Sequence, residues 1–291
     1  MPIILDPTKI NKLRKRPKRI QAIRTRKAEL TFRRRLEALW DKVLLPISDQ
    51  IKELAKQKPV PLMTINQLIE QGLETARVEY GINSDAIITE WRLSLDYHHR
   101  VEFEKSLKKS VGVDISVVLN QEHIKKAMEG AAIENVTLIR TIPEKYFGEI
   151  HKAVLDNYYG RPLPENRSLL KQIQEVGKVS YKRARLISRD QTTKLTGTLN
   201  QVRQEAIGVQ EYIWHTVRDE RVVGKPGGVY PPKPGLDKST AHGNHYERQG
   251  KKFRWDTSPP DGHPGQAIQC RCWAEPIIDT DRLVERALGK K

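Results

Sequence analysis

The sequence predicts an α+β protein, with a mainly α-helical body followed by a small C-terminal β-rich module. Three observations carry that expectation. Between Phe32 and Gly208 apolar residues recur every three or four positions, the period of an amphipathic helix. From Val209 onward the pattern changes to alternation, interrupted by loops rich in proline and glycine. Both cysteines of the 291-residue chain, Cys270 and Cys272, stand one residue apart in the last alternating stretch. With 37% hydrophobic residues the chain can bury real cores.

In order, residues 1–30 read as a basic, flexible arm, 31–208 as the helical body, 209–278 as the small module and 279–291 as a tail. Phe32, Leu36, Leu39, Val43, Ile47, Ile51 and Leu54 define a first helix. Pro46 lies inside it, and a kink or break is expected there because proline removes a backbone donor. The stretch KPVPL (58–62) ends it. TINQLIEQGLETARVEYG makes a second helix closing at Gly81, and Ser84 caps a third that carries Ile87, Trp91, Leu95, His98 and Phe103. The β-branched run from Val111 to Leu119 suits strand or helix and is read as helix from Ile115. A fourth helix has Pro143 in its first turn and Gly160 as its stop. The fifth follows Ser180, with the stripe Ala184, Ile187, Gln191, Leu195, Leu199, Val202 and Ala206 and a C-cap at Gly208. Its polar side carries Lys182, Arg183, Arg185 and Arg189, a solvated face or a second phosphate contact.

In the module, VQEYIWHTVRDERV, GKKFRWD and CRCWAEPII alternate as strands do, and Trp214 and Trp255 are large enough to cover a small core. Two irregular loops join the strands, and the tail holds one short helix. His98, His99 and His151 sit in helices, where isolated histidines are surface or core residues rather than ligands.

Charge is uneven. The net charge is +16, and the first 36 residues hold thirteen cations against Asp6 and Glu29. Such a block calls for a polyanion, and nucleic acid is the usual one. Lys12, Arg14, Lys15, Arg16, Lys18, Arg19, Arg24, Arg26 and Lys27 are the expected phosphate contacts. The other reading is a solvated tail that aids solubility. Two cysteines make no disulfide framework, no apolar run is long enough to span a membrane, and the basic N-terminus has no apolar signal core. The expectation is a soluble protein made in the cytoplasm.

In a strand, Cys270 and Cys272 would present both sulfurs on one face with Arg271 on the other. Two thiolates are half of a tetrahedral zinc site. His242 and His245, in HGNHY, are candidates for the other half, with His263 and Asp219 as further candidates. Two reduced thiols packed in a small core is the commoner use of such residues, and a strained redox pair is a third reading. No Gly-rich phosphate loop, G-x-S-x-G elbow or H-E-x-x-H motif is present, so no enzyme is expected. A metal-dependent hydrolase or nuclease built on HGNH and Asp219, and a free-standing DNA-binding module, are the alternatives.

The order of motifs resembles a known family. ARLISRDQTTKLTGTLNQVRQEAIGVQEYIWHTVRDERV, then HYERQGKKFRWD, then PPDGHPGQAIQCRCWAEPII is similar to the phage Mu protein F-like minor head proteins, also called phage head morphogenesis proteins. The likeness runs from about Glu134 to Ile278. It implies a structural protein of the tailed-phage head, present in few copies beside the portal. The implied partners are the portal protein, capsid and scaffold proteins, and DNA held through non-specific phosphate contacts, with no membrane. The implied location is the capsid interior near the portal, with the host cytoplasm during assembly. Many members add a Cys-x-x-Cys pair upstream of the final Cys-x-Cys. The corresponding stretch here, DERVVGKPGGVY, has no cysteine, so a four-sulfur set does not carry over and zinc rests on the histidines.

Overall fold

A computed structural model of the chain describes residues 18–112, 121–230 and 244–287. Its elements are α1 (Arg26–Leu54), α2 (Leu62–Val111), α3 (Gln121–Tyr158), a short 3-10 turn (Pro164–Asn166), α4 (Leu169–Ala206), β1 (Glu211–His215), β2 (Lys252–Arg254), β3 (Trp273–Pro276) and α5 (Thr280–Ala287). The α+β class holds. The chain divides into two compact units, one of Met1–Arg26, Leu93–Gly130 and Asp190–Lys291, the other of Lys27–Arg92 and Ala131–Arg189.

The second unit is all helical. Phe32 stacks on Trp91 at 4.7 Å between ring centroids, and Trp40 meets Tyr146 edge-on at 4.9 Å. A Cβ on Gly72 would stand 2.8 Å from Ile47 and 2.9 Å from Phe147, so this glycine sets how closely three helices approach. The break allowed for at Pro46 does not occur, and Pro143 is interior to its helix rather than in a first turn. α1 passes through Pro46 and α3 through Pro143 without ending. Each proline is flanked by buried residues, Val43, Leu44 and Ile51 around the first and Ile139, Ile142, Tyr146 and Phe147 around the second. Packing outweighs a local break that costs about 3 kcal/mol. Gly81 and Ser84 likewise lie inside α2, where the Ser84 hydroxyl donates to the Gly81 carbonyl at 3.2 Å rather than capping a new helix. α4 begins at Leu169, well before Ser180. Two of the three expected glycine stops are present. Gly160 and Gly208 both have positive φ and end their helices with paired turn bonds, Arg161 N–H to Asp156 O and Gly160 N–H to Asn157 O, and Val209 N–H to Gln204 O and Gly208 N–H to Glu205 O.

The first unit is built from distant parts of the chain. Its sheet is antiparallel in the order β2-β1-β3, with Tyr212 opposite Phe253 and Pro276, and Trp214 opposite Ala274. Tyr212, Trp214, Trp255 and Ala274 point into one core with Cys270 and Cys272. Phe103, Leu107 and Val111 of α2, Ile207 after α4, Ile20 and Leu283 complete it. The boundary expected at residue 208 is therefore not a boundary of packing. Three strands of three to five residues expose too little apolar surface to close a core alone, and the ends of α2 and α4 supply the rest. The strands are also shorter than the alternation suggested, since turns occupy residues 219–230.

The two helix ends are joined by a buried polar row. Arg203, with 0% exposure, donates to Asp96 Oδ1 at 2.5 Å and to His99 Nδ1 at 2.6 Å, and His99 Nε2 donates to Asn200 Oδ1 at 3.0 Å. Burial lowers the His99 pKa well below its ordinary value, and the nearby Arg203 charge lowers it further, so the ring is neutral.

The arm also differs from expectation. Residues 18–25 pack against the first unit, and Arg26 already opens α1. Lys18 N–H donates to Ser110 O at 3.1 Å, Ile20 is buried, and His98 Nε2 donates to Arg24 O at 2.8 Å. On the sheet face away from the core, Arg19 Nε donates to Glu275 Oε2 at 3.0 Å, beside His215 Nε2 on the same oxygen at 2.5 Å. The tail is likewise anchored, with Asp279 capping α5 and Leu283 in the core. The run read as helix from Ile115 lies outside the described residues, as do Lys12, Arg14, Lys15 and Arg16.

Candidate metal centre

Two loops and the start of β3 bring the centre together. Asp190, in the middle of α4, accepts the Gln269 N–H at 2.6 Å, and Gln269 has φ of 56°. That turn aims the Cys-x-Cys segment inward just before β3. Cys270 and Cys272 are therefore not in the ladder itself, yet both sulfurs face the same way, as the i, i+2 spacing predicts. Arg271 is turned aside and donates to Asp219 Oδ2 at 2.6 Å. The facing side chain, His245, opens the run of turns that leads into β2. Its loop is pinned by Tyr246 N–H to Val223 O and by Gly250 N–H to Trp214 O.

Both sulfurs converge on one ring nitrogen. His245 Nδ1 lies 3.5 Å from Cys270 Sγ and 3.4 Å from Cys272 Sγ. The donor atoms of all three residues lie within 4.8 Å of one another, and all three are buried. A tetrahedral zinc ion bound at 2.3 Å to sulfur and 2.0–2.1 Å to nitrogen separates those donors by about 3.5 Å. Both sulfur–nitrogen spacings match that separation.

The histidine is oriented from behind. Its Nε2 donates to Asp261 Oδ2 at 2.8 Å, and the other oxygen of Asp261 accepts from Arg248 at 2.6 Å. The Arg248 guanidinium lies 4.7 Å over the Trp214 ring, and Trp214 meets His245 edge-on at 5.2 Å. A carboxylate on the far nitrogen fixes the tautomer that a metal-binding histidine needs and raises its basicity.

The electrostatics agree with the geometry. Burial works against charge on His245, but its hydrogen bonds to Asp261 and Cys270, with their charges, raise it to about 9. Cys270 is held well below the ordinary thiol value by its hydrogen bond with Cys272 and by His245, against burial. Cys272 goes the other way, raised by Cys270 and by burial. The two thiols are thus driven apart, Cys270 toward the thiolate and Cys272 toward the neutral thiol. The Cys272 N–H pointing at Cys270 Sγ, 3.4 Å away, places the negative charge on Cys270. A second positive charge in the site, such as a metal dication, would draw off the other thiol proton.

Of the residues singled out from the sequence, Cys270, Cys272 and His245 come together. His242 lies outside the described residues. His263 is elsewhere, accepting from the Tyr212 hydroxyl at 2.8 Å and packing on Trp255, and Asp219 is committed to Arg271. Lys18, Arg24, Arg26 and Lys27 have exposed side chains, and Arg19 is engaged with Glu275. Sequence reasoning missed Asp261 and Arg248. Asp261 sits in PPDGHPG, where an aspartate reads as a turn residue, and nothing local marks it as a partner of His245.

The fold and site define a class: an α+β protein whose C-terminal module gathers two cysteines and a histidine into an arrangement able to hold a metal ion. An uncharacterized protein of Haemophilus influenzae (strain ATCC 51907 / DSM 11121 / KW20 / Rd) is 30% identical to this chain over 191 residues. The match takes in 65% of this chain but 38% of the relative, so the chain spans well under half of that protein's length. No family model matches the chain, and no solved structure matches it. Among the described residues, no helix is long and apolar enough to cross a membrane.

Proposed function

We propose that the protein is a structural minor head protein of a tailed bacteriophage, acting in head morphogenesis, with its C-terminal module closed by one zinc ion on Cys270, Cys272 and His245. One observation carries this reading. The separate motifs that resemble the Mu F-like proteins fold onto a single scaffold. Asp190 and Gly197 of the RDQTTKLTG helix seat the loop before the cysteines. Gln204, further along that helix, donates to Ala274 O at 3.1 Å and accepts from the Trp255 indole at 3.2 Å. The YIWH strand supplies Trp214, and HYER supplies His245 and Arg248. A set of motifs whose common product is one metal-closed module suits a structural role.

In this reading the protein acts inside the capsid beside the portal after assembly in the host cytoplasm, against portal, capsid and scaffold proteins. Cations before α1 contact packaged DNA through phosphates, where base readout would serve nothing. The test is to purify particles from the host that encodes the chain and quantify it against the major capsid protein. A low, portal-like copy number supports the reading. Absence from the particles removes it.

The row Asp261–His245–Cys270 favours a second reading, a thiolate nucleophile with a histidine partner. Metal content separates the two. Zinc at about one per chain occupies both sulfurs, whereas a metal-free protein with one rapidly alkylated cysteine points to thiol chemistry.

A further inference from the structure

Beside the centre the described residues line an open cleft of about 570 Å³, within the size range of small-molecule sites. Its lining includes Cys270, Cys272 and His245 themselves, so the three residues that converge border the cavity directly. Much of the rest is apolar, including Val217, Val222 and Ile268. Arg271, also on the wall, is neutralised by Asp219. Among the described residues three donors converge, and a structural zinc takes four while an accessible one keeps a position for an outside ligand.

We propose that the metal held by Cys270, Cys272 and His245 presents its fourth position to this cavity, where it binds a small organic molecule with an apolar body and one thiolate or imidazole donor. The inference rests on the zinc reading above and adds a ligand class to it. The donor type follows from the ion, since thiolate and imidazole suit zinc better than carbonyl or ether oxygen. The apolar body follows from the walls. The Asp261 carboxylate, which also borders the cavity, is already held by His245 and Arg248 and serves as a positioning group.

The experiment uses the full-length protein loaded with cobalt(II), whose visible absorption reports coordination, and imidazole as the probe. Cobalt should bind at about one per chain. Imidazole should then change the visible band saturably, with the metal still bound and the far-ultraviolet spectrum unchanged. A cobalt protein whose band ignores imidazole at every concentration overturns the inference and leaves the metal reading standing. So does a His242→Ala variant whose band differs from the parent before any imidazole is added, because the chain itself would then fill the fourth position. Failure to bind cobalt or zinc at all removes the metal reading, and this inference with it.

Discussion

Gly197 and Pro264 meet so closely that a Cβ added to Gly197 would stand 2.5 Å from the Pro264 carbonyl oxygen. The opposing Gly265, at φ of 93°, lies against the same helix, 3.3 Å from its own added Cβ to the Gly197 Cα. The loop ahead of the cysteines therefore rests directly on the backbone of α4.

That contact reverses an ordinary rule. Glycine to alanine inside a helix normally stabilises by about 1 kcal/mol. Gly177→Ala, where an added Cβ meets nothing within 4 Å, should follow the rule. Gly197→Ala should instead destabilise by about 1–3 kcal/mol, as overpacking does. Paired denaturant titrations check it, and equal signs for the two variants would refute the contact.

Metal retention should separate ligands from the residue behind them. Cys270→Ser or His245→Ala should abolish stoichiometric zinc, and with it a large part of the module's stability. Asp261→Asn should keep the ligand set but weaken affinity about 10–100-fold, as loss of a partner behind a metal-bound histidine does. Competition with a chromophoric chelator measures both, and an Asp261→Asn affinity equal to wild type would remove Asp261 from the site.

The sheet core gives a stability prediction. Trp214 and Trp255 are 0% and 4% exposed, and truncating either to alanine should cost about 3–5 kcal/mol. Trp214→Ala should also loosen metal binding, because Arg248 and His245 both pack on that ring. An unshifted thermal transition in both variants would show the module is not built around them.

Acid should weaken the first unit. His99, His215 and His263 are all lowered from the ordinary 6.5, with burial the leading cause in each. The native state then binds fewer protons than the unfolded chain, so the contribution is present above pH 6.5 and is lost as pH falls through 6.5 toward the lowered native values. For His215 the geometry shows why. Its Nε2–H serves Glu275, while its Nδ1 accepts from Gln249 at 3.0 Å, a bond that protonation removes. His215→Gln should flatten the loss of stability between about pH 7 and pH 5 relative to wild type. Identical slopes would show that this ring does not titrate on unfolding.

The basic segment can be tested without cutting the core. Because Ile20 and Arg19 are bound to the first unit, the deletion should stop at residue 17. It removes Lys9, Lys12, Arg14, Lys15 and Arg16. If these contact phosphate, the slope of log K against log salt for duplex DNA should fall in magnitude by up to about 4.5. An unchanged slope would place the DNA contact elsewhere.

What the sequence made legible were features with local causes. Gly160 and Gly208 end helices because only a left-handed residue closes those turns, and that requirement is visible in the residue itself. The Cys-x-Cys spacing foretold two sulfurs on one side, and HGNHY contained the histidine that meets them. Pro46 and Pro143 misled because their cost is local while the burial that overrides it is not. Asp261 was hidden because its pairing with His245 is made by two loops folding together. The extent of the first unit was hidden for the same reason, since Phe103 and Ile207 look like ordinary helix residues until the sheet lies on them.

That scattered origin has a consequence for the order in which the protein is made. The unit formed by Lys27–Arg92 and Ala131–Arg189 has all of its chain once residue 189 has been synthesised. The core of the other unit must wait for Cys272 and then Leu283, although the segment 18–25 that joins it was made at the start. At about 5–20 residues per second, translation from Asp190 to Cys272 takes roughly 4–16 s. Through that interval the nascent chain carries a finished helical unit beside apolar segments with no core to enter. Chaperones and proteases have their access to it then, and the two sulfurs that end the interval arrive as a pair.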